Sequence, residues 1–123
     1  MIKLLIACFA VSSPLLALDV EEFVWENTGP SVQEYNSALL QAVASNDSWS
    51  VIDYAEHIAN NFPSTPFAQD APFLTGEAYF KLDQLEHANR CFTDYLQHVS
   101  SPKHFEMAVE YKFNIAEKFA GGG

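Results

Sequence analysis

Basic residues are scarce in this chain, in which 123 residues include 6 Lys and Arg against 16 Asp and Glu, for a formal net charge of −10. Binding to nucleic acid needs a basic surface that replaces the counterions of the phosphates, and electrostatic attachment to anionic lipid needs a cationic patch. The composition therefore argues against both kinds of partner. Solubility is the ordinary explanation of an acidic surface, and the length indicates one domain.

Cysteine and long apolar runs are also scarce. Residues 1–17, MIKLLIACFAVSSPLLA, give one basic residue, a short apolar run and then small residues, which is the order of a secretory signal peptide. The run is too short to cross a bilayer, which takes about 20 residues. We expect cleavage after Ala17; the alternatives are lipidation at Cys8, as in a bacterial lipobox, or a buried N-terminal segment. Removal of residues 1–17 would leave Cys91 without a disulfide partner.

Strand-like alternation is missing, and apolar residues instead recur every three or four positions, as they do in amphipathic helices. The pattern predicts five helices in a domain of residues 31–120, after an acidic lead-in of residues 18–30 and before the glycines at 121–123. Ser50 and Asp53, three residues apart, are expected to cap the second helix, and the last helix is expected to begin near residue 103. The breaks between the helices fall at residues 46–48, 62–65, 83–84 and 100–102.

Catalytic and metal-binding constellations are missing as well. His87 and Cys91 are four residues apart, but a metal site needs a third and a fourth ligand that the sequence does not supply. Cys91 is expected to be partly buried and unreactive because it adjoins Phe92, a predicted core residue. Asp83 and Glu86 precede or begin a helix, where acids favour the helix dipole. We therefore expect no enzyme activity and no cofactor or metal.

One glycine requires an explanation, because it lies inside a helix-forming run, GEAYFKLDQLEHANRCF. Gly76 costs about 1 kcal/mol relative to Ala in a helix interior. Two antiparallel helices approach closely only where a side chain is missing, so Gly76 and Ala88 would supply gaps between two helices. Tyr79 and Phe92 would fill the space beside them, and each aromatic ring buries on the order of 150–250 Å². The spacing predicts a packed helical hairpin.

Residues 71–102 resemble a tetratricopeptide repeat whose positions are counted from residue 69. Such a repeat has a small residue at its eighth position, Tyr at its eleventh, Ala at its twentieth and Phe at its twenty-fourth. Gly76 and Tyr79 occupy the first two of these positions. Ala88 and Phe92 occupy the other two. The equivalent positions of the neighbouring repeats are Leu39, Ala42, Val51 and Ala55 before this repeat and Ala116 and Phe119 after it.

A narrower resemblance is carried by the run FPSTPFAQDA, residues 62–71. A similar run opens the second repeat of the BamD-like outer-membrane assembly lipoproteins of the bacterial envelope, and the similarity extends over about residues 31–120. The later repeats of that family, and its lipid-bearing Cys at the usual place, are absent. The resemblance implies an all-α fold in which antiparallel helix hairpins stack as a short right-handed solenoid of about five helices.

The same resemblance implies a non-enzymatic scaffold for protein–protein interaction, exported to the periplasm or the periplasmic face of the outer membrane. Its partner would be a protein or peptide segment, with outer-membrane assembly components as candidates, and membrane contact would require lipidation or a partner. Phe73 and Phe113 stand near acidic residues, so an apolar and basic ligand is expected. The groove-facing positions implied by the resemblance are Gln33, Asn36, Asp70, Phe73, Glu77, Lys81, Phe113 and Glu117.

The fifth helix raises a question of its own, since Phe105, Phe113 and Phe119 have no following helix in this sequence to cover them. A repeat array needs a polar last helix, so the sequence predicts a partner, a second copy or a longer chain, and the last is favoured. The alternative function is a helical accessory domain at the front of a larger exported enzyme or wall-associated protein. A small metal-binding protein is a third hypothesis.

Overall fold

The computed structural model describes residues 30–121. The expected signal peptide with Cys8, the lead-in up to residue 29 and the last two glycines lie outside the described residues. The described part contains five α-helices and no strand, as the sequence predicted, and the helices from Val32 onward belong to one compact unit. The helices are α1 (Val32–Ala44), α2 (Ser48–Asn61), α3 (Pro66–Lys81), α4 (Leu85–His98) and α5 (Phe105–Ala120).

The turn after α1 and the turn after α3 have the same geometry. Asn46 and Asp83 both adopt a left-handed backbone conformation, with φ of 60° and 62°. The backbone N–H of Asn46 donates to the Val43 carbonyl (3.1 Å) and that of Asp47 donates to the Ala42 carbonyl (2.9 Å). The same two bonds, 3.0 and 2.9 Å long, recur around Asp83. Both helices therefore end in a Schellman motif, in which Asn or Asp takes the place of the more usual Gly.

Helix α2 begins earlier than the sequence suggested. Asp47 is its N-cap, and its carboxylate accepts hydrogen bonds from the backbone N–H of Ser50 (3.3 Å) and from the Ser50 hydroxyl (2.8 Å). The predicted cap by Ser50 with Asp53 is wrong, because Ser50 already lies inside the first turn of the helix. An acidic side chain that accepts from the third residue of a helix is an effective cap.

Each helix packs against the next one in the chain. In a packed pair, residues later in the first helix contact residues earlier in the second. In α3 and α4, Gly76 faces Phe92, whereas Tyr79, one turn later, has its ring 5.0 Å from that of His87, which lies earlier in the chain than Phe92. Short connections and this pairing define antiparallel helical hairpins.

The core consists of two clusters, and α3 contributes to both. Five residues of α3 are buried, and Pro72 lies inside the helix, where it removes one backbone hydrogen bond. The first cluster contains Leu39, Ala42, Val51, Ile52, Ala55, Ile58, Ala71 and Ala78. The second contains Phe73, Ala88, Phe92, Tyr95, Ala108 and Ile115.

None of the described helices has the length and apolar character that crossing a bilayer would require.

Candidate protein-binding surface

Helix α5 carries most of the large apolar side chains that the described residues leave exposed. Five of the seven lie on this helix. Phe105, Val109 and Phe113 are 52%, 44% and 63% exposed, and they share one side of the helix because they are four residues apart. The exposed Ala116 and Ala120 continue the same stripe. We call these five residues the open face of α5.

The opposite side of α5 holds the helix to the rest of the molecule. Ala108 and Ile115 are buried there, and the Tyr111 hydroxyl donates a hydrogen bond of 2.9 Å to Glu77 Oε2 on α3. The ring of Tyr111 also stacks on Phe92, with 4.7 Å between the centroids. Phe113 follows Tyr111 by two residues and so points about 160° away from it around the helix axis. The open face is therefore turned away from α3.

Acidic side chains line one edge of the open face. Glu106, Glu110 and Glu117 are exposed, and none of them forms an ion pair with another described residue. On a helix they lie about 60–100° from the middle of the apolar stripe. We call these three residues the acidic rim.

The two lysines of α5 are engaged with the rest of the molecule. Lys112 Nζ lies 2.7 Å from Asn89 Oδ1 and 2.7 Å from Thr93 Oγ1 on α4. Lys118 Nζ lies 5.9 Å from the centre of the Phe80 ring on α3. Because these contacts hold both cations toward α3 and α4, the charge presented beside the open face is negative.

A cleft of about 770 Å³ lies where the end of α5 meets the turn between α3 and α4. Phe119, 51% exposed, supplies an apolar wall, and acids stand on both sides of the cleft. The residues that line it are Asp83, Gln84, Leu85, Glu86, His87, Glu117, Lys118, Phe119 and Gly121. Within residues 30–121, no group of three or more His, Cys, Asp or Glu side chains is arranged to hold a metal ion.

The groove positions implied by the sequence divide among several parts of the structure. On α3, Asp70 pairs with Lys103 at 3.3 Å, Glu77 accepts from Tyr111, and Lys81 Nζ donates to Asn46 Oδ1 at 3.1 Å. These three side chains connect α3 to neighbouring segments. On α1, Gln33 is exposed and Asn36 is half-buried, whereas Phe113 and Glu117 lie on the outer side of α5.

Phe73 is a correction to the sequence-based expectation. It was expected to face a groove, but its side chain is 2% exposed and lies 5.4 Å from Tyr95 and 4.5 Å from His104, measured between ring centroids. The α4–α5 connection brings His104 over the ring, and this was not visible in the spacing of the sequence. Phe73 is a core residue that no partner can contact in this arrangement.

Gly76 lies directly against α4. A Cβ atom on Gly76 would stand 2.8, 2.9 and 3.0 Å from three carbons of the Phe92 ring. Ala88 and Phe92 are fully buried, and Tyr79 is half-buried. Burial raises the pKa of Tyr79, with a smaller contribution from the negative charge of Glu56. The close approach of α3 and α4 therefore depends on the missing side chain at position 76.

Cys91 has the chemistry of a structural thiol. It is half-buried, and desolvation, followed by the nearby carboxylates of Asp94 and Glu56, raises its pKa to about 11. The ring of His87 lies beside Tyr79. A thiol with so high a pKa is almost fully protonated near neutral pH and is a poor nucleophile.

Sequence reasoning missed Tyr111, Glu106 and Glu110. A signal for the open face was present, since Phe105, Val109 and Phe113 recur every four residues, and the rim residues are next to that stripe on a helical projection.

No family model, no curated protein and no solved structure matches this chain.

Proposed function

We propose that this chain is a non-enzymatic interaction module that binds a segment of another protein through the open face of α5. The observation that carries the proposal is the exposure of Phe105, Val109 and Phe113 on one side of a helix whose other side is packed. Contiguous exposed apolar side chains with a polar border mark interaction surfaces in soluble proteins. Aromatic residues contribute most strongly to such contacts.

A tetratricopeptide-like stack is part of the proposal. It is supported by the two identical turns at Asn46 and Asp83, which lie 37 residues apart. It is supported further by burial, because the residues 37 positions before Gly76, Tyr79, Ala88 and Phe92 are all buried, as are three of these four. Those residues are Leu39, Ala42, Val51 and Ala55.

The setting that we propose is the bacterial envelope, where the chain would act as a BamD-like scaffold that aids the assembly of outer-membrane proteins. This part depends on the signal-like residues 1–17 and on the FPSTPFAQDA run. Export requires only a suitable N-terminal segment, so the proposed location is independent of the proposed binding surface. The location is tested separately, by the cell fraction in which the crosslinked adducts described below are recovered.

Photocrosslinking in cells tests the binding function. A photoreactive phenylalanine analogue at Phe113 is expected to give protein adducts, because this position is in the middle of the open face. The matched control is the same analogue at Asn60, which is exposed on α2. Adducts at position 113 that are absent at position 60 and are recovered with the envelope support the proposal. No adducts at 113, or the same adducts at both positions, would overturn the binding role.

A further inference from the structure

We propose that the occupant of the open face of α5 is an amphipathic helix of another protein, with Lys or Arg along one edge of its apolar stripe. This inference rests on the proposed function and specifies the class of partner. It follows from three properties of the surface, namely its shape, its charge and the orientation of its lysines.

The shape of the open face suits a helix. From Phe105 to Ala120 the stripe is about 22 Å long, at 1.5 Å per residue. It is a single ridge of side chains four or three residues apart, and such ridges pack into the grooves of another helix. Ala116 and Ala120 leave room for large partner side chains near the end of α5, while Phe105 and Phe113 require small ones near its start.

The charge of the surface calls for basic side chains in the partner. All three carboxylates of the acidic rim are exposed on the same edge of the stripe, and none has an ion-pair partner among the described residues. At the end of α5, Glu117 of the rim also lines the cleft, which contains two further acids, Asp83 and Glu86, and one lysine, Lys118. A helix with Lys or Arg on the matching edge would complement these charges and would associate faster at low salt.

The same charges disfavour a second copy as the occupant. In an antiparallel two-fold pair of α5 helices, the acidic rim of one copy would lie beside the acidic rim of the other. In a parallel pair, the rim would meet the edge that carries Lys112, whose ammonium group is already bonded to Asn89 and Thr93. The net charge of −10 adds repulsion between copies.

The test uses the full chain and two fluorescent synthetic helices of about 18 residues, long enough to cover the stripe. Both have the same Leu and Ala stripe, with Lys along one edge in the first peptide and Glu in the second. Fluorescence anisotropy is expected to show binding of the Lys peptide at least about tenfold tighter than binding of the Glu peptide. The difference is expected to shrink between about 50 and 500 mM salt, as screening increases.

Variants connect the binding to this surface. The rim variant, with Glu106→Gln, Glu110→Gln and Glu117→Gln together, is expected to weaken binding of the Lys peptide by about fivefold to tenfold, since three exposed charge pairs are lost. Phe113→Ser is expected to weaken it about tenfold. Circular dichroism checks that both variants remain folded. The matched control neutralises three exposed acids on other helices: Asp53→Asn, Glu56→Gln and Asp94→Asn.

The outcomes separate this inference from the proposed function. Equal binding of the Lys and Glu peptides, or an equal effect of the rim and control variants, overturns the inference, while adducts at position 113 would still sustain the binding function. If neither peptide binds and no adducts form at position 113, both the inference and the proposed binding function are overturned. A dimer at micromolar concentration that Phe113→Ser dissociates, measured by sedimentation velocity, identifies a second copy as the occupant and also overturns the inference.

Discussion

At the scale of single residues, Gly76 determines how closely α3 and α4 approach. The Phe92 ring that faces it is fully buried and cannot easily move, because it also stacks on Tyr111 at 4.7 Å and meets the edge of Phe73 at 5.7 Å. A methyl group at position 76 would therefore meet a ring that is held on several sides. Two effects of a Gly-to-Ala change oppose each other here, the gain in helix propensity and the cost of overpacking.

Gly76→Ala is expected to lower the free energy of unfolding. The helix propensity gain is about 1 kcal/mol, but overpacking in a filled core costs about 1–3 kcal/mol. Because the added Cβ would lie 2.8 Å from a carbon of the Phe92 ring, we expect a cost near the upper end of this overpacking range. The net loss is about 1–2 kcal/mol, measured by urea unfolding. The double variant Gly76→Ala with Phe92→Leu, compared with Phe92→Leu alone, is the control, because removing the ring should abolish the cost. A more stable Gly76→Ala variant would contradict the packing described here.

At the scale of helices, α5 is attached by a small number of specific contacts. Only Ala108 and Ile115 are buried in it, and the polar contact to α3 is the hydrogen bond from Tyr111 to Glu77. Burial, then the hydrogen bond to Glu77 and the charges of Glu77 and Glu110, raise the pKa of Tyr111 to about 12. The folded protein therefore holds this proton more tightly than the unfolded chain does.

Tyr111→Phe is expected to change the response of stability to alkaline pH. With the folded pKa above the ordinary value of 10.0, the phenol contributes stability that is fully present below pH 10 and is lost as the pH rises toward about 12. The wild-type melting temperature should therefore fall more steeply across this range than that of Tyr111→Phe, measured by circular dichroism. At pH 7.5 the variant should lose about 1 kcal/mol with its hydrogen bond. Parallel pH curves for the two proteins would show that Tyr111 does not titrate in this way.

Local sequence patterns were sufficient to predict the helices but not every contact between them. The four breaks between the helices were readable because they contain Asn, Asp, Ser or Pro, which favour turns for local reasons. The cap of α2 was misplaced by three residues, since Asp47 and Ser50 are equally good capping residues and only the course of the chain selects one. Phe73 was misassigned because side chains that cover it, such as Tyr95 and His104, lie 22 and 31 residues away in the sequence.

The same limit applies to the binding surface. Helical spacing indicated that Phe105 and Phe113 would be left uncovered, and both are exposed. The acidic rim could be recognised only after Lys112 and Lys118 were seen to contact α4 and α3. Until those lysines are placed, α5 is a helix of mixed charge, and the sign of the field beside its apolar stripe is undetermined.

At the scale of the whole molecule, the number of buried residues differs from one helix to another. Helix α3 has five buried residues, whereas α1 and α5 have two each. Local opening costs less free energy where fewer buried contacts are broken. The described part of the chain should therefore open from its two outer helices, with α3 as the last element to lose its structure.

Hydrogen exchange with mass spectrometry should resolve this order. Backbone amides in the middle of α3 are expected to exchange at least about tenfold more slowly than those in the middle of α1 and α5, because α3 opens only with the global transition. Ile115→Ala, which removes a side chain that is 1% exposed, should accelerate exchange in α5 while leaving α3 the slowest helix. Phe113→Ser is the matched control on the same helix, since its side chain is exposed and should leave α5 protection nearly unchanged. Equal protection in all five helices would mean that the described helices unfold as one cooperative unit, and the weak attachment of α5 inferred from its contacts would be wrong.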